Sequence, residues 1–346
     1  MKISIIIPVY NGERFIEECI RSAMNQDLDL FEVICINDGS NDNTQNILAQ
    51  LENEYASLRV INKVNEGPAK AREIGAEKAT GEYLVFLDGD DLLAPNALGE
   101  IYTVASKNDL DMAVYDYVIF SDQPRFSKDS AHTLKPVSVY TGKEYINQFM
   151  YTAYNWDKLW RRDFYISKVI SGVGGFYYED QLPTLKGIYS SNRIARLNIV
   201  CVGYRDNASS TTRRAITKEH FQDLRSVILS YSKVLKDNDL CRSRCALMKL
   251  AHMLALLDEH RHQLSLEFDK EILSVYSEVR AFIVSQNGGF VNLCQKVGVV
   301  YGFYYKLETM CLARVFGFIG KLSRIKRILK EKKLVVSKNQ GLDNGS

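Results

Sequence analysis

The stretch Gly81-Glu82-Tyr83-Leu84-Val85-Phe86-Leu87-Asp88-Gly89-Asp90-Asp91 decides the fold. Tyr83–Leu87 is short, apolar and bounded by turn residues, which reads as a buried β-strand. The strand ends in a cluster of carboxylates, Asp88, Asp90 and Asp91. Acids this close repel one another unless cations offset them. Hard oxygen ligands of this kind suit Mg²⁺ or Mn²⁺. A turn would account for the same letters, with Asp91 capping a helix near Pro95. The position after an apolar strand, in step with a second acid at Asp38, favours the cation site.

Working outward, strands and helices alternate over the first 120 residues or so. Ile3–Val9 reads as a strand, and Phe15, Ile16, Cys19, Ile20 and Ala23 follow at helical spacing. Phe31–Ile36 is a second strand that closes on Asn37-Asp38-Gly39-Ser40, where Ser40 or Asp42 can cap the next helix. Leu58–Ile61 is a third strand, and Pro68 opens a helix that runs to about Ala79. Pro95 opens a further helix, and Met112–Phe120 is a fifth strand. Alternation of this kind predicts an α/β fold with a mostly parallel, twisted sheet flanked by helices. Such sheets bind ligands beyond the carboxyl ends of their strands. Those ends carry Tyr10-Asn11, Asp38-Gly39-Ser40 and Asp88-Gly89-Asp90-Asp91.

Three further groups carry chemistry. Asp38 can accept a nucleobase imide N–H or simply close a turn. Glu179-Asp180 follows the run Gly174-Gly175-Phe176-Tyr177-Tyr178, a setting that suits a general base acting on an alcohol, although surface acidic pairs are common. Arg205, Arg213 or Arg214 can meet phosphate oxygens or belong to a solvated loop.

In this order the motifs resemble glycosyltransferase family 2, enzymes of the GT-A fold. The segments that carry the resemblance are Ile5-Ile6-Ile7-Pro8-Val9-Tyr10-Asn11, Ile36–Asp42, Asn65–Arg72, Gly81–Asp91, Trp156–Arg162 and Glu179-Asp180. The resemblance implies that Pro8, Tyr10 and Asp38 hold the nucleoside of a nucleotide-sugar donor, usually uridine, with Gly67 and Arg72 bordering the pocket. It implies that Asp88 and Gly89 meet the donor, that Asp90 binds Mn²⁺ or Mg²⁺ with Asp88 in support, and that Asp180 deprotonates the acceptor hydroxyl. The sugar would pass with inversion to a glycan or lipid-linked oligosaccharide, in surface polysaccharide synthesis. Asn37 departs from the acid often found beside the nucleobase-binding Asp. No Q-x-x-R-W motif occurs, which implies transfer of one sugar per encounter. A Gly-rich basic loop after the first strand, expected of a nucleotidyltransferase, is missing, and so is the G-x-G-x-x-G of an oxidoreductase. An inactive binding or assembly subunit would be expected to lose the carboxylates, which are retained.

This reading divides the chain into a nucleotide-sugar-binding half at 1–121, an acceptor-binding and catalytic half at 122–215, a helical region at 216–336 and a disordered tail at 337–346. Hydrophobic residues make up 46% and charged residues 25% of the 346, as expected for a globular chain with a real core. A net charge of +2 gives no reason to expect a nucleic-acid partner. The seven cysteines, an odd count with no C-x-x-C pair, are expected to be reduced thiols of a cytoplasmic protein. Cys241, Cys245 and His252 can share a helix face, where packing explains them better than a metal. Neither a signal peptide nor a membrane-spanning helix is expected. The segment 312–333 sets Val315, Leu322, Ile325 and Leu329 against Arg314, Lys321, Arg324, Lys326 and Arg327. An amphipathic basic helix there can lie on an anionic membrane surface or pack on the protein itself.

Overall fold

The computed structural model describes residues 1–124, 126, 137–170, 177–206, 216–240 and 243–286. Residues 1–215 form one compact unit and residues from 216 onward another. Among the described residues, the first is built on a nine-stranded sheet in the order β3 (Leu58–Lys63), β2 (Phe31–Asp38), β1 (Ile3–Val9), β4 (Tyr83–Phe86), β8 (Lys158–Arg161), β6 (Met112–Phe120), β9 (Ile194–Arg205) and β5 (Leu92–Leu93), with β7 (Val139–Tyr140) paired to β9.

The first half of that sheet is parallel. Strand β1 (Ile3–Val9) lies between β2 (Phe31–Asp38) and β4 (Tyr83–Phe86), and β3 (Leu58–Lys63) lies outside β2. β1 is buried along its whole length, as a strand covered on both faces must be. Pro8 is tolerated in this central strand for a local reason. Leu87 N–H donates to Ile6 C=O at 3.0 Å, and Pro8 faces the same side two residues on. The β1–β4 pairing ends at Ile6↔Phe86, so Pro8 stands beyond the last paired residues on that side.

The second half alternates in direction. Strand β8 (Lys158–Arg161) runs antiparallel between β4 and β6 (Met112–Phe120), and β9 (Ile194–Arg205) is parallel to β6. Two short strands, β5 (Leu92–Leu93) and β7 (Val139–Tyr140), pair antiparallel with β9. Lys158 is fully buried in β8 because its ammonium meets Asp157 Oδ1 at 2.5 Å and the carbonyls of Tyr154 and Thr152 at 2.7 and 3.2 Å.

Helices α1 (Ile16–Met24), α2 (Thr44–Glu54), α3 (Pro68–Lys78) and α4 (Ala97–Lys107) connect the early strands. Helix α5 spans Gly142–Gln148, α6 (Arg162–Phe164) leads into a π turn at Tyr165–Val169, and α7 spans Gln181–Ser190. Helix α3 positions the site. A Cβ at Gly75 would come within 2.4 Å of Ile6 Cγ2, so the missing side chain lets α3 settle onto β1. Arg72, one turn earlier on the same face, is thereby carried inward. At its start Gly67 has φ 90°, a left-handed conformation that glycine adopts without a steric cost.

Two local expectations are corrected. Asp91 caps no helix: α4 begins beyond it at Ala97, with Asn96 as the preceding residue, and Asp91 is fully buried. Pro95 stands before that start rather than inside the first turn.

The second unit contains α8 (Lys218–Asp237), α9 (Arg244–Leu264) and α10 (Lys270–Gln286). Cys19, Cys35, Cys201 and Cys245 are buried and form no disulfide. Cys241 and the segments 312–333 and 337–346 lie outside the described residues. Among the described residues no helix is long and apolar enough to cross a membrane.

Candidate active site

Asp38, the last residue of β2, is buried and faces the start of α3. Its Oδ1 accepts from Lys63 Nζ at 2.5 Å and from Glu66 N–H at 3.0 Å, and its Oδ2 accepts from Gly67 N–H at 2.8 Å. These bonds fix the loop that turns into α3. Pro8 is buried at the end of β1, whereas Tyr10 just beyond it is 46% exposed. Pro8, Tyr10, Asp38 and Gly67 therefore gather around the carboxyl ends of β1 and β2.

The centre of the site is Arg72, which is buried and reaches three acids. Its Nη2 donates to Asp88 Oδ1 at 2.9 Å, and its Nη1 donates to Glu179 Oε1 at 3.0 Å and to Asp180 Oδ1 at 3.2 Å. The family resemblance puts Arg72 on the border of a nucleoside pocket and does not reveal this junction. Burial alone would weaken the guanidinium's hold on its proton, but Asp180, Asp88 and Glu179 outweigh it and raise the pKa further.

Asp180 precedes α7, and Tyr178 beside it takes φ 60°, uncommon for an aromatic residue, where the chain turns. Two donors hold Asp180, and both fall on Oδ1: Arg72 Nη1 and Asn155 Nδ2, the latter at 2.7 Å. Among the described residues no hydrogen bond falls on Oδ2. The side chain is 18% exposed. Burial pushes its pKa up to about 7; Arg72 opposes the rise, and Glu179 and Asp88 add to it. A carboxylate titrating near neutrality, with one oxygen held and the other open, has the form of a general base. Asn155, which the sequence does not single out, is buried, and its own Oδ1 has no partner among the described residues.

The acidic turn divides by burial. Asp88 and Asp90 are half-buried with Gly89, which packs against Val9, whereas Asp91 points inward. Asp91 Oδ1 accepts from Arg205 N–H at 2.8 Å, and its Oδ2 has no partner among the described residues. Burial, then the charges of Asp88 and Asp90, push its pKa up to about 9.

Arg205, expected to meet donor phosphates, is held by several partners within the chain. Its guanidinium donates to Asp90 C=O at 2.7 Å and to Glu18 Oε2 at 2.6 Å. It also lies over the rings of Phe15 and Phe120, 4.6 and 4.5 Å from their centroids. Arg205 thus clamps the acidic turn from behind. Arg213 and Arg214 lie outside the described residues.

This sheet, with its acids at the strand ends, has the GT-A glycosyltransferase fold. The chain superposes on the crystal structure of S. aureus TarS 1-349 in complex with UDP with a TM-score of 0.55, at 21% identity over 82% of this chain and 83% of that one. The complex of the same protein with UDP-GlcNAc gives a TM-score of 0.56 at 21% identity, over 82% of this chain and 81% of that one. Residues 4–168 match the family model Glycosyl transferase family 2. An uncharacterized glycosyltransferase of Escherichia coli, YibD, is 29% identical over 56% of this chain and 58% of its own length. A poly(ribitol-phosphate) beta-glucosyltransferase of Bacillus spizizenii is 40% identical over 33% of this chain and 19% of its own. The chain thus matches well under two thirds of either relative's length.

Proposed function

We propose that the chain transfers one sugar from a nucleoside diphosphate donor, a UDP-sugar, to a hydroxyl of a glycan or lipid-linked acceptor, with inversion at the anomeric carbon. The observation that carries this reading is the convergence of Asp88, Glu179 and Asp180 on Arg72, with Asp180 Oδ2 left open. The nucleoside would lie along Pro8, Tyr10 and Gly67, with Asp38 holding the loop beneath it. A UDP donor draws support from TarS, which shares the fold and binds UDP and UDP-GlcNAc.

The residues fit a hard divalent cation, Mn²⁺ or Mg²⁺. Asp88 and Asp90 offer carboxylate oxygens from one turn, and their charge raises the pKa of Asp91 behind them. Among the described residues no group of three or more His, Cys, Asp or Glu side chains could hold a metal alone, so donor phosphates would complete the shell. Bound there, the cation would offset charge gathering on the departing diphosphate.

The rest falls to the protein. Arg72 and Asn155 hold Asp180 through Oδ1, which aims Oδ2 at the acceptor. Oδ2 takes the hydroxyl proton as the oxygen attacks the anomeric carbon from the face opposite the leaving group. One base and no covalent sugar–enzyme bond give a single displacement, hence inversion. Release of UDP from UDP-GlcNAc and other UDP-sugars with Mn²⁺ tests the reading, and α-linked product from an α-linked donor would contradict inversion. We place the protein on the cytoplasmic face of the membrane, held through 312–333. Deletion of 312–346 should release it in a fractionation, and unchanged association would rule that contact out.

A further inference from the structure

The loop at 151–157, which leads into β8, is buried except at Thr152 and Tyr154. Tyr154 is 43% exposed, yet it is held firmly. Its ring stacks on Trp156 with centroids 4.6 Å apart and planes at 10°. Trp156 is 3% exposed; it also stacks with Tyr204 at 5.4 Å and 17° and meets Tyr117 edge to face at 4.8 Å and 89°. The backbone is fixed too, since Tyr154 C=O accepts from Lys158 Nζ at 2.7 Å. Exposed Ile119, the register partner of Tyr204, extends the apolar surface along β6.

The next residue in the loop is Asn155, whose side chain holds Asp180 Oδ1 at 2.7 Å. Adjacent residues have Cα atoms about 3.8 Å apart. One rigid loop therefore sets both the exposed ring and the orientation of the carboxylate. We propose that Tyr154 is the floor of the acceptor subsite, a platform for the C–H face of a pyranose ring whose hydroxyl is presented to Asp180 Oδ2. This rests on Asp180 being the base. A pyranose has a flat face of C–H groups and a polar rim. An aromatic ring whose other face is packed on a buried indole presents a matching flat surface with little mobility left to lose on binding. An open-chain polyol has no such face, so the platform selects a cyclic sugar at the acceptor position.

Saturation-transfer NMR on the full chain, with UDP and Mn²⁺ present, tests this. The probes are methyl β-D-glucopyranoside, methyl β-D-galactopyranoside and methyl N-acetyl-β-D-glucosaminide, with ribitol as the acyclic control. The ring protons of at least one pyranoside should be saturated and those of ribitol should not. Tyr154→Ala should weaken that sugar roughly tenfold with UDP affinity unchanged, and Tyr154→Phe and Tyr154→Trp should keep it. Equal binding by Tyr154→Ala, loss of binding in Tyr154→Phe with UDP affinity intact, a preference for ribitol, or no pyranoside binding would overturn the platform. Should Tyr154→Ala fail to fold, the two aromatic variants decide. Saturation needs no turnover. A chain that binds the pyranoside but never releases UDP from a UDP-sugar contradicts the transfer reading alone.

Discussion

Arg72 Nη1 lies 3.2 Å from Asp180 Oδ1, joining positions 108 residues apart, and the same guanidinium reaches Asp88 at 2.9 Å. The acidic turn after β4 and the acidic pair before α7 are therefore one electrostatic unit. Each acid needs the cation, because removing one partner of a buried ionic group leaves the others uncompensated.

Arg72→Ala should cost about 3–5 kcal/mol of stability, read from chemical denaturation. Arg72→Lys should recover only part of this, since an ammonium lacks the planar fork that spans Asp88 and the Glu179-Asp180 pair. Full recovery by lysine would mean that the geometry of the fork does not matter.

Asp91 gives a pH signature. Its pKa is raised to about 9 in the folded chain, against about 4 for a free Asp side chain. A raised folded pKa means stability that is fully present at low pH and lost as pH rises toward 9. Asp91→Asn keeps an acceptor for Arg205 N–H and cannot ionise. Its stability relative to wild type should therefore grow between pH 5 and pH 8, measured with EDTA present. A constant difference across that range would show that Asp91 is ionised throughout.

Gly75→Ala should destabilise by about 1–3 kcal/mol, because the added methyl meets Ile6 rather than open space. The displaced helix carries Arg72, so the rate of transfer should fall as well. A variant as stable as wild type would mean that α3 does not depend on this close approach.

Asp180 must be ionised to accept a proton, and its pKa is raised to about 7. Transfer measured as kcat/KM should therefore climb as pH rises through neutrality and level off above it. A profile already flat at pH 5 would mean that the base titrates elsewhere.

Much of this was legible in the sequence, for local reasons. The buried strands announce themselves in runs such as Ile3–Val9, and the acids that close β2 and β4 stand at fixed places after such runs. What was hidden is what depends on distant partners. Strand β8 is masked by Lys158 and Arg161, charges that make sense only once Asp157 and the carbonyls of Thr152 and Tyr154 are in place. Asp91 reads as a cap because a turn aspartate looks the same whether its partner is the next helix or the backbone of Arg205. The letters around Arg205 likewise do not reveal that Phe15, Phe120 and Glu18 surround it. The binding of Asp180 by Asn155 joins two loops and leaves no periodic trace.

The most direct measurement is UDP release from UDP-sugars by the purified chain with Mn²⁺ and a pyranoside acceptor, wild type beside Asp180→Asn. Metal-dependent release that falls by about 10²–10⁴-fold in Asp180→Asn, with UDP affinity unchanged, is the predicted result. Transfer that survives in Asp180→Asn, or a chain that binds UDP and releases none from any UDP-sugar, would contradict Asp180 as the base of a glycosyl transfer.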